Sequence, residues 1–337
     1  MPIIQTQALR KTFRSVRRGE GLGGALGALF SRSYVEKTAV ADVSMSIDEG
    51  EVVGYIGPNG AGKSTTIKML TGILVPTSGT IDVAGIVPYE RRRQNARNIG
   101  VVFGQRSQLY WDLPLRESFE LLRAIYRVPR ARFQANLKRF VEILELGPFM
   151  ATPVRQLSLG ERMRGDFAAA LLHEPRIVYL DEPTIGLDIV AKEAIRVFIA
   201  DINQRLGTTV ILTTHDLADV ERLCRRLVLI DHGTIIYDGS VERLRNEYGT
   251  HRTLIVHLTE PQPGFFIEGV EIDRPEALTA RLRFDRRTIT AEALIRRVTE
   301  RYSITDVAIN EPEIDDIVRH IYLEGYHAPP VLDAEDA

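Results

Sequence analysis

Two stretches of this 337-residue sequence carry residue types at spacings that handle a polyphosphate. The first, Gly57-Pro58-Asn59-Gly60-Ala61-Gly62-Lys63-Ser64-Thr65, fits the pattern Gly-x4-Gly-Lys-Ser. Its glycines tolerate the φ angles and close approach that let backbone N–H groups wrap phosphates, and a helix starting there presents its positive end. Lys63 would reach the β and γ phosphates, Ser64 would place its hydroxyl on Mg²⁺, and Thr65 would continue the phosphate contacts. The second stretch, Ile177-Val178-Tyr179-Leu180-Asp181-Glu182, is four apolar residues followed by two acids. A strand buried on both faces delivers such acids to the C-terminal edge of an open α/β sheet, where ligands bind. Asp181 would then hold Mg²⁺ through water and leave Glu182 free to polarise an attacking water. Taken alone, an Asp-Glu pair at a strand end is equally well a solvated strand terminus.

The elements needed to position these residues are readable. Val52 to Ile56 is an apolar run that predicts a buried strand, followed by the Gly-rich loop and a helix whose Ile67, Met69 and Leu70 precede Gly72 as a stop signal. Residues 114 to 147 have helical period, with Leu115, Phe119, Leu122 and Tyr126 on one face and Phe133, Leu137, Phe140 and Leu144 on the next. Strand-like runs return at 177–180, 209–213 and 227–230, with the helical pattern Ile195, Phe198, Ile202 and Leu206 between them. Alternating strands and helices predict an α/β fold with a mainly parallel sheet covered on both faces. His232-Gly233 has the composition of a two-residue hairpin turn. After Gly239 the pattern changes: a short polar helix over 241–248, a break at Gly249-Thr250, strands at 253–258, 278–284 and 305–309, and helices over 290–302 and 313–323. This predicts a main domain over 1–240, a small α+β domain over 241–327 and a loose acidic tail over 328–337.

Composition narrows the function. Hydrophobic residues are 44% and charged residues 26%, which is ordinary for a globular chain, and the formal charge of −2 argues against a nucleic-acid partner. The run Arg91-Arg92-Arg93 reads as solvated surface. Cys224 is the single cysteine, so no intramolecular disulfide forms, which fits a reducing compartment. No stretch approaches the ~18 apolar residues needed to cross a bilayer, and the first residues lack the basic start and apolar core of a signal peptide.

Between the two phosphate-handling stretches lies Leu157-Ser158-Leu159-Gly160-Glu161, with nineteen residues separating Glu161 from Asp181. By itself this is a serine capping the helix expected over 162–172. In this order, however, the three motifs make residues 3 to 240 resemble the ATP-binding subunit of an ATP-binding-cassette (ABC) transporter, whose signature is Leu-Ser-Gly-Gly-Gln. Here leucine and glutamate replace the first glycine and the glutamine. The resemblance implies a phosphate-loop nucleotidase with a RecA-like core and a helical insert, about 106–172. It implies that Ser158 and Gly160 hold the γ-phosphate of ATP bound to a second subunit, and that the cofactors are ATP and Mg²⁺. It places Gln105 at the loop linking core to insert, as a metal and catalytic contact, with Gln108 as the rival register. Asp188, in Gly186-Leu187-Asp188, falls at the dimer interface, and His215 falls where a switch histidine senses the γ-phosphate. Phe13 stands where an aromatic ring stacks on adenine, with Tyr34 as its competitor.

The implied partners are a second copy or homologous ATPase and separate membrane-spanning subunits, with the chain peripheral on the cytoplasmic side. The stretch from Ile304 to Ile317 is similar to the closing strand and helix of bacterial multidrug and polysaccharide exporter subunits, which favours export over import. The insertion over 14–36 and the run from Phe103 to Pro114 are similar to a subgroup described as viologen-type exporters. A soluble ABC ATPase working on ribosomes or DNA is the rival reading; a GTPase is opposed by the lack of an Asn-Lys-x-Asp motif. Within 14–36, Leu22, Leu26, Leu29 and Phe30 make an apolar stripe flanked by Arg14, Arg17, Arg18 and Arg32. Four glycines weaken that helix, so a surface loop and an amphipathic docking helix both remain open.

Overall fold

Strand and helix alternate from Val52 onward because short apolar runs, fit only for burial on both faces, are separated by segments of helical period. The computed structural model describes residues 1–16, 34–104, 106–214, 216–249, 251–312 and 314–324. Its first unit, Met1–Asp238, contains β1 (Pro2–Val16), β2 (Tyr34–Asp48), β3 (Val52–Ile56), β4 (Ser78–Val83), β5 (Ile99–Phe103), β6 (Ile177–Asp181), β7 (Thr209–Thr213), β8 (Arg226–Asp231) and all but the last two residues of β9 (Thr234–Ser240). They form one nine-stranded sheet in the order β4-β1-β2-β9-β8-β3-β7-β6-β5. The stretch from β8 through β3, β7 and β6 to β5 is parallel, with Gly54 facing Leu227 and Leu212, and Asp181 facing both Phe103 and Thr213. Tyr55, Ile67, Leu70, Tyr179, Ile211 and Val228 share one core beneath it.

Helices Lys63–Leu70, Leu115–Tyr126, Arg130–Ile143, Leu159–Leu171 and Ile189–Leu206 account for the expected helical blocks. The helix after Ser158 begins at Leu159, three residues before the expected start, because Ser158 itself caps it. The turn between β8 and β9 has φ of 44° at His232 and 78° at Gly233. Two successive left-handed residues match the right-handed twist of the strands they join.

Beyond the parallel core, β1 runs antiparallel to both β2 and β4. The β1–β2 ladder continues to Val16 opposite Tyr34, and Arg14 pairs with Glu36 at 2.7 Å. Both ends of the insertion expected over 14–36 are therefore continuations of a hairpin stem. The stripe of Leu22, Leu26, Leu29 and Phe30 lies outside the described residues, as does the tail over 328–337.

The second unit, Gly239–Ala337, holds helix Val241–Tyr248, then β10 (His251–Leu258), β11 (Glu271–Glu276), β12 (Thr279–Asp285), helix Ala291–Arg301, β13 (Ile304–Asn310) and helix Ile314–Glu324. Its four strands form an antiparallel sheet in the order β11-β12-β10-β13. Alternation puts Leu254, Val256 and Leu258 of β10 and Ala280, Leu282 and Phe284 of β12 on one face, where they pack with Leu294 and Val298 of the helix. Sequence reading did not anticipate β11. Its Pro275 and four charged residues argue against a strand, and only its edge position makes the proline tolerable.

The hydroxyl of Tyr179, itself fully buried on β6, has no hydrogen-bond partner among the described residues, and burial pushes its pKa up. An unsatisfied buried hydroxyl costs about 1 kcal/mol or more. Tyr179→Phe should therefore raise stability by about 1 kcal/mol, read as a later midpoint in thermal or urea unfolding. An earlier midpoint would mean that the hydroxyl is satisfied.

Candidate active site

The Gly-rich loop leaves β3 at Ile56 and enters helix Lys63–Leu70 through Gly62, whose φ of 110° admits glycine readily. There is no room for a larger residue at two of its positions. A Cβ at Gly57 would lie 2.3 Å from the Ile230 carbonyl oxygen, and one at Gly62 would lie 2.5 Å from that of Ala39. The β8–β9 turn braces the loop from outside, Gly233 N–H donating to the Ala61 carbonyl at 2.9 Å. Among the described residues no side chain caps the helix start, and its first turn has no acid, so its backbone donors and positive end face the loop. Lys63 Nζ donates to the carbonyls of Gly57 (2.5 Å) and Pro58 (3.2 Å). Burial lowers the pKa of this ammonium, while Glu182 and Asp181 pull it back up.

The parallel register then brings the acids to the loop. Ser64 Oγ donates to Asp181 Oδ2 at 3.1 Å, and Thr213 Oγ1, directly across on β7, donates to Asp181 Oδ1 at 2.6 Å. Thr213 also receives the Glu182 N–H, at its carbonyl (2.9 Å) and hydroxyl (3.3 Å). Glu182 has φ of 54°, a conformation that costs a non-glycine residue on the order of 1 kcal/mol and turns the chain sharply off the strand. Phe13, Lys37, Ala39, Pro58, Asn59, Gly60, Gly62, Lys63, Ser64, Thr65, Asp181 and Glu182 line one cleft of about 380 Å³, within the usual size of a small-molecule site. Phe13 sits at its rim with Lys11 Nζ 5.4 Å from the ring centroid.

Oxygen donors from one hydroxyl and one carboxylate, side by side, suit Mg²⁺, which takes few protein ligands and keeps phosphate and water for the rest. No group of three or more His, Cys, Asp or Glu that could hold a metal occurs among the described residues.

The signature residues lie elsewhere. Ser158 caps helix Leu159–Leu171 in a reciprocal box: Glu161 N–H donates to Ser158 Oγ at 3.2 Å, and Ser158 N–H donates to Glu161 Oε2 at 2.8 Å. These bonds hold the Glu161 carboxyl below the usual carboxylate range. Asp188 caps helix Ile189–Leu206 through Ala191 N–H at 2.7 Å. Ser158 and Asp188 are exposed, and they and Gly160 are absent from the lining of the Lys63 cleft. Gln105 and His215 lie outside the described residues, as does the side chain of Tyr34. Gln108, the rival to Gln105, uses its amide to reach the main-chain carbonyl of Asp166 at 3.0 Å and does not line the cleft.

Sequence reading did not single out Lys37 or Thr213. Lys37 is found only through its pairing with Phe13 across β1 and β2, whereas Thr213 could have been found by counting register from Asp181 to the adjacent strand. Thr213→Val should leave nucleotide affinity within about threefold but cut turnover about tenfold or more, the worth of one charge-assisted hydrogen bond. Thr213→Ser should restore it. Unchanged turnover in the valine variant would release Thr213 from the site.

Comparison with known proteins agrees with this geometry. The family model described as ABC transporter matches residues 40–185. The chain is 34% identical over 218 residues to the ABC transporter ATP-binding protein NatA of Bacillus subtilis (strain 168), covering 64% of this chain and 88% of that one. It is 30% identical over 320 residues to the methionine import ATP-binding protein MetN of Latilactobacillus sakei subsp. sakei (strain 23K), covering 91% and 92%. It is also 30% identical over 300 residues to the daunorubicin resistance ATP-binding protein DrrA3 of Streptomyces coeruleorubidus, covering 86% and 93%. A solved ATP-binding cassette, a dimer in a post-hydrolysis state bound to ADP and Pi, matches with a TM-score of 0.59 at 26% identity, over 71% of this chain and 98% of that one. A phosphate loop joined to Asp181 through Ser64, on the sheet that those relatives share, makes this chain a member of the ABC transporter ATP-binding family, an ATPase that powers membrane transport.

Proposed function

We propose that two copies of this chain, or this chain and a homologue, close on two ATP molecules, each site pairing the loop of one subunit with Ser158 and Gly160 of the other. The observation that carries this reading is the division of the motifs. Lys63, Ser64, Asp181 and Glu182 share one cleft, whereas Ser158 and Gly160 sit outside it at a capped helix start. A helix N-terminus exposed in this way is an anion-binding end in search of a partner's phosphate. The solved relative described as dimeric and bound to ADP and Pi supports the pairing of two copies.

In the proposed reaction, water attacks the γ-phosphorus in line while Glu182 accepts its proton and ADP leaves. Lys63 and the N–H groups of Asn59 to Thr65 stabilise the charge on the β and γ oxygens. Ser64 and Asp181, with Gln105, would hold Mg²⁺, which when bound neutralises charge on the same oxygens. His215 orients the γ-phosphate and the water, Phe13 stacks on the base, and Asp188 meets the facing subunit. The domain over 1–240 does this work, and the small domain over 241–327 is an accessory.

Among the described residues no helix is long and apolar enough to cross a membrane. We assign the membrane path to separate permease subunits and this chain to their cytoplasmic face. Relatives of equal reach are named for drug resistance and for methionine import. Export is favoured by the likeness of the stretch from Ile304 to Ile317 to exporter subunits. Purification of the native complex tests this: a co-purifying hydrophobic protein supports transport, and a ribosome or DNA pellet supports the soluble reading instead.

Lys63→Ala should abolish tight ATP binding, and unchanged equilibrium binding of labelled ATP would remove the loop from the site. Glu182→Gln should bind ATP yet fail to turn it over, giving an ATP-trapped dimer in gel filtration or light scattering. Near-normal hydrolysis with only monomer present would exclude Glu182 as the base. Mixing Ser158→Arg with Lys63→Ala should regenerate one hybrid site and part of the ATPase rate, and a mixture as inactive as either parent counts against shared sites.

A further inference from the structure

Asp166 sits in the interior of helix Leu159–Leu171, where aspartate is a poor helix former, and it is buried, where a carboxylate is costly unless fully hydrogen-bonded. Its bonds come from one short segment. Gln108 N–H donates to Asp166 Oδ1 at 2.9 Å and Ser107 Oγ donates to the same oxygen at 3.0 Å. Gln108 Nε2 donates to the Asp166 main-chain carbonyl at 3.0 Å, and Ser107 Oγ accepts Leu109 N–H at 3.1 Å. Arg162, one turn back on the same helix, adds only a weaker attraction, and burial still pushes the carboxyl up to about 6. The neighbouring Gly165 lets the segment close down, since a Cβ there would lie 2.9 Å from Leu115 Cδ1 and 3.1 Å from Leu109 Cδ1.

Both ends of this clasp lead to proposed site residues. On one side the chain returns to Gly104, whose N–H donates to the Asp181 carbonyl at 2.8 Å and whose Cβ, if it had one, would lie 2.3 Å from the Glu182 carbonyl oxygen. On the other side Ser158 stands eight residues before Asp166, about 12 Å along the same helix. Neither the hydrolytic chemistry nor the helix itself needs a buried carboxylate at this position.

We propose that Asp166 is a positioning residue: its hydrogen bonds lock the helix that presents Ser158 to the segment that leaves the Asp181–Glu182 edge. The nucleotide side of one subunit thereby sets how Ser158 meets the ATP of a second copy. This rests on the shared-site reading above.

The test uses the full chain carrying Glu182→Gln, in which ATP drives dimerisation without turnover. Adding Asp166→Ala should leave ATP affinity of the dilute monomer within about threefold but weaken ATP-driven dimerisation at least tenfold, read by sedimentation. Asp166→Asn keeps the acceptor oxygen and should stay within about threefold of the parent. If Asp166→Ala does not fold, Ser107→Ala removes one of the three bonds to Asp166 from the segment's side, together with the Leu109 bond that orders the segment, and carries the same expectation of kept binding and weakened dimers. Dimerisation unchanged in the folded alanine variants, or equal damage from asparagine and alanine, overturns the clasp. A Glu182→Gln parent that binds ATP yet stays monomeric overturns the shared-site reading instead, and the clasp's role with it.

Discussion

Ser64 and Asp181 are 117 residues apart in the chain yet stand at hydrogen-bond distance, and the rest of the site depends on keeping them there. A hydroxyl and a carboxylate cannot hold each other against solvent on their own, since an exposed pair of this kind contributes little. The parallel register of β3, β7 and β6 does it instead. It ends the three strands at one edge, sends the phosphate loop off the first and the acids off the last, and leaves Thr213 between them to hold both Asp181 and the backbone of Glu182. Because these strands are buried on both faces, a slip of even one residue would move every side chain into a packing site shaped for another.

Much of this was legible because burial on both faces writes itself into sequence as uninterrupted apolar runs. Val52 to Ile56, Ile177 to Leu180 and Thr209 to Thr213 are such runs, and the His232-Gly233 turn is a local signal of equal strength. The antiparallel strands β1 and β2 left no such trace. They are rich in Thr, Ser, Lys and Arg, and the ladder is broken by bulges around Leu9 and Lys11 with a left-handed Ala8, so no clean alternation survives. The edge strand β11 was hidden by its proline for a related reason: edges need neither apolar faces nor a full set of donors.

Site residues divide along the same line. The loop and the acid pair are local patterns and could be read directly. Thr213 and Lys37 join the site only through pairing with distant strands. Glu161 is an instructive middle case. Against the family signature it is a departure that sets a negative charge beside an expected anion, but Ser-x-x-Glu is also a capping box. In the fold Glu161 spends its charge on the Ser158 N–H, which fixes the serine's place at the helix start.

Two buried carboxylates brace the Asp181–Glu182 edge from either flank, and neither is explained by stability. Asp166 ties the segment beyond Gly104 to the signature helix. Asp219 accepts Thr184 Oγ1 at 2.7 Å and pairs with Arg196, which in turn reaches Glu193. Thr184 is two residues past Glu182, on the way to Asp188. A buried ion pair or carboxylate gains little over a well-packed apolar group of the same volume, whereas each polar bond demands one distance and one direction. Apolar packing at these positions would keep the helices together but let them slide. In the proposed dimer, a site completed by a second subunit would not tolerate that freedom, because Ser158 and Asp188 would have to meet atoms that their own chain does not position.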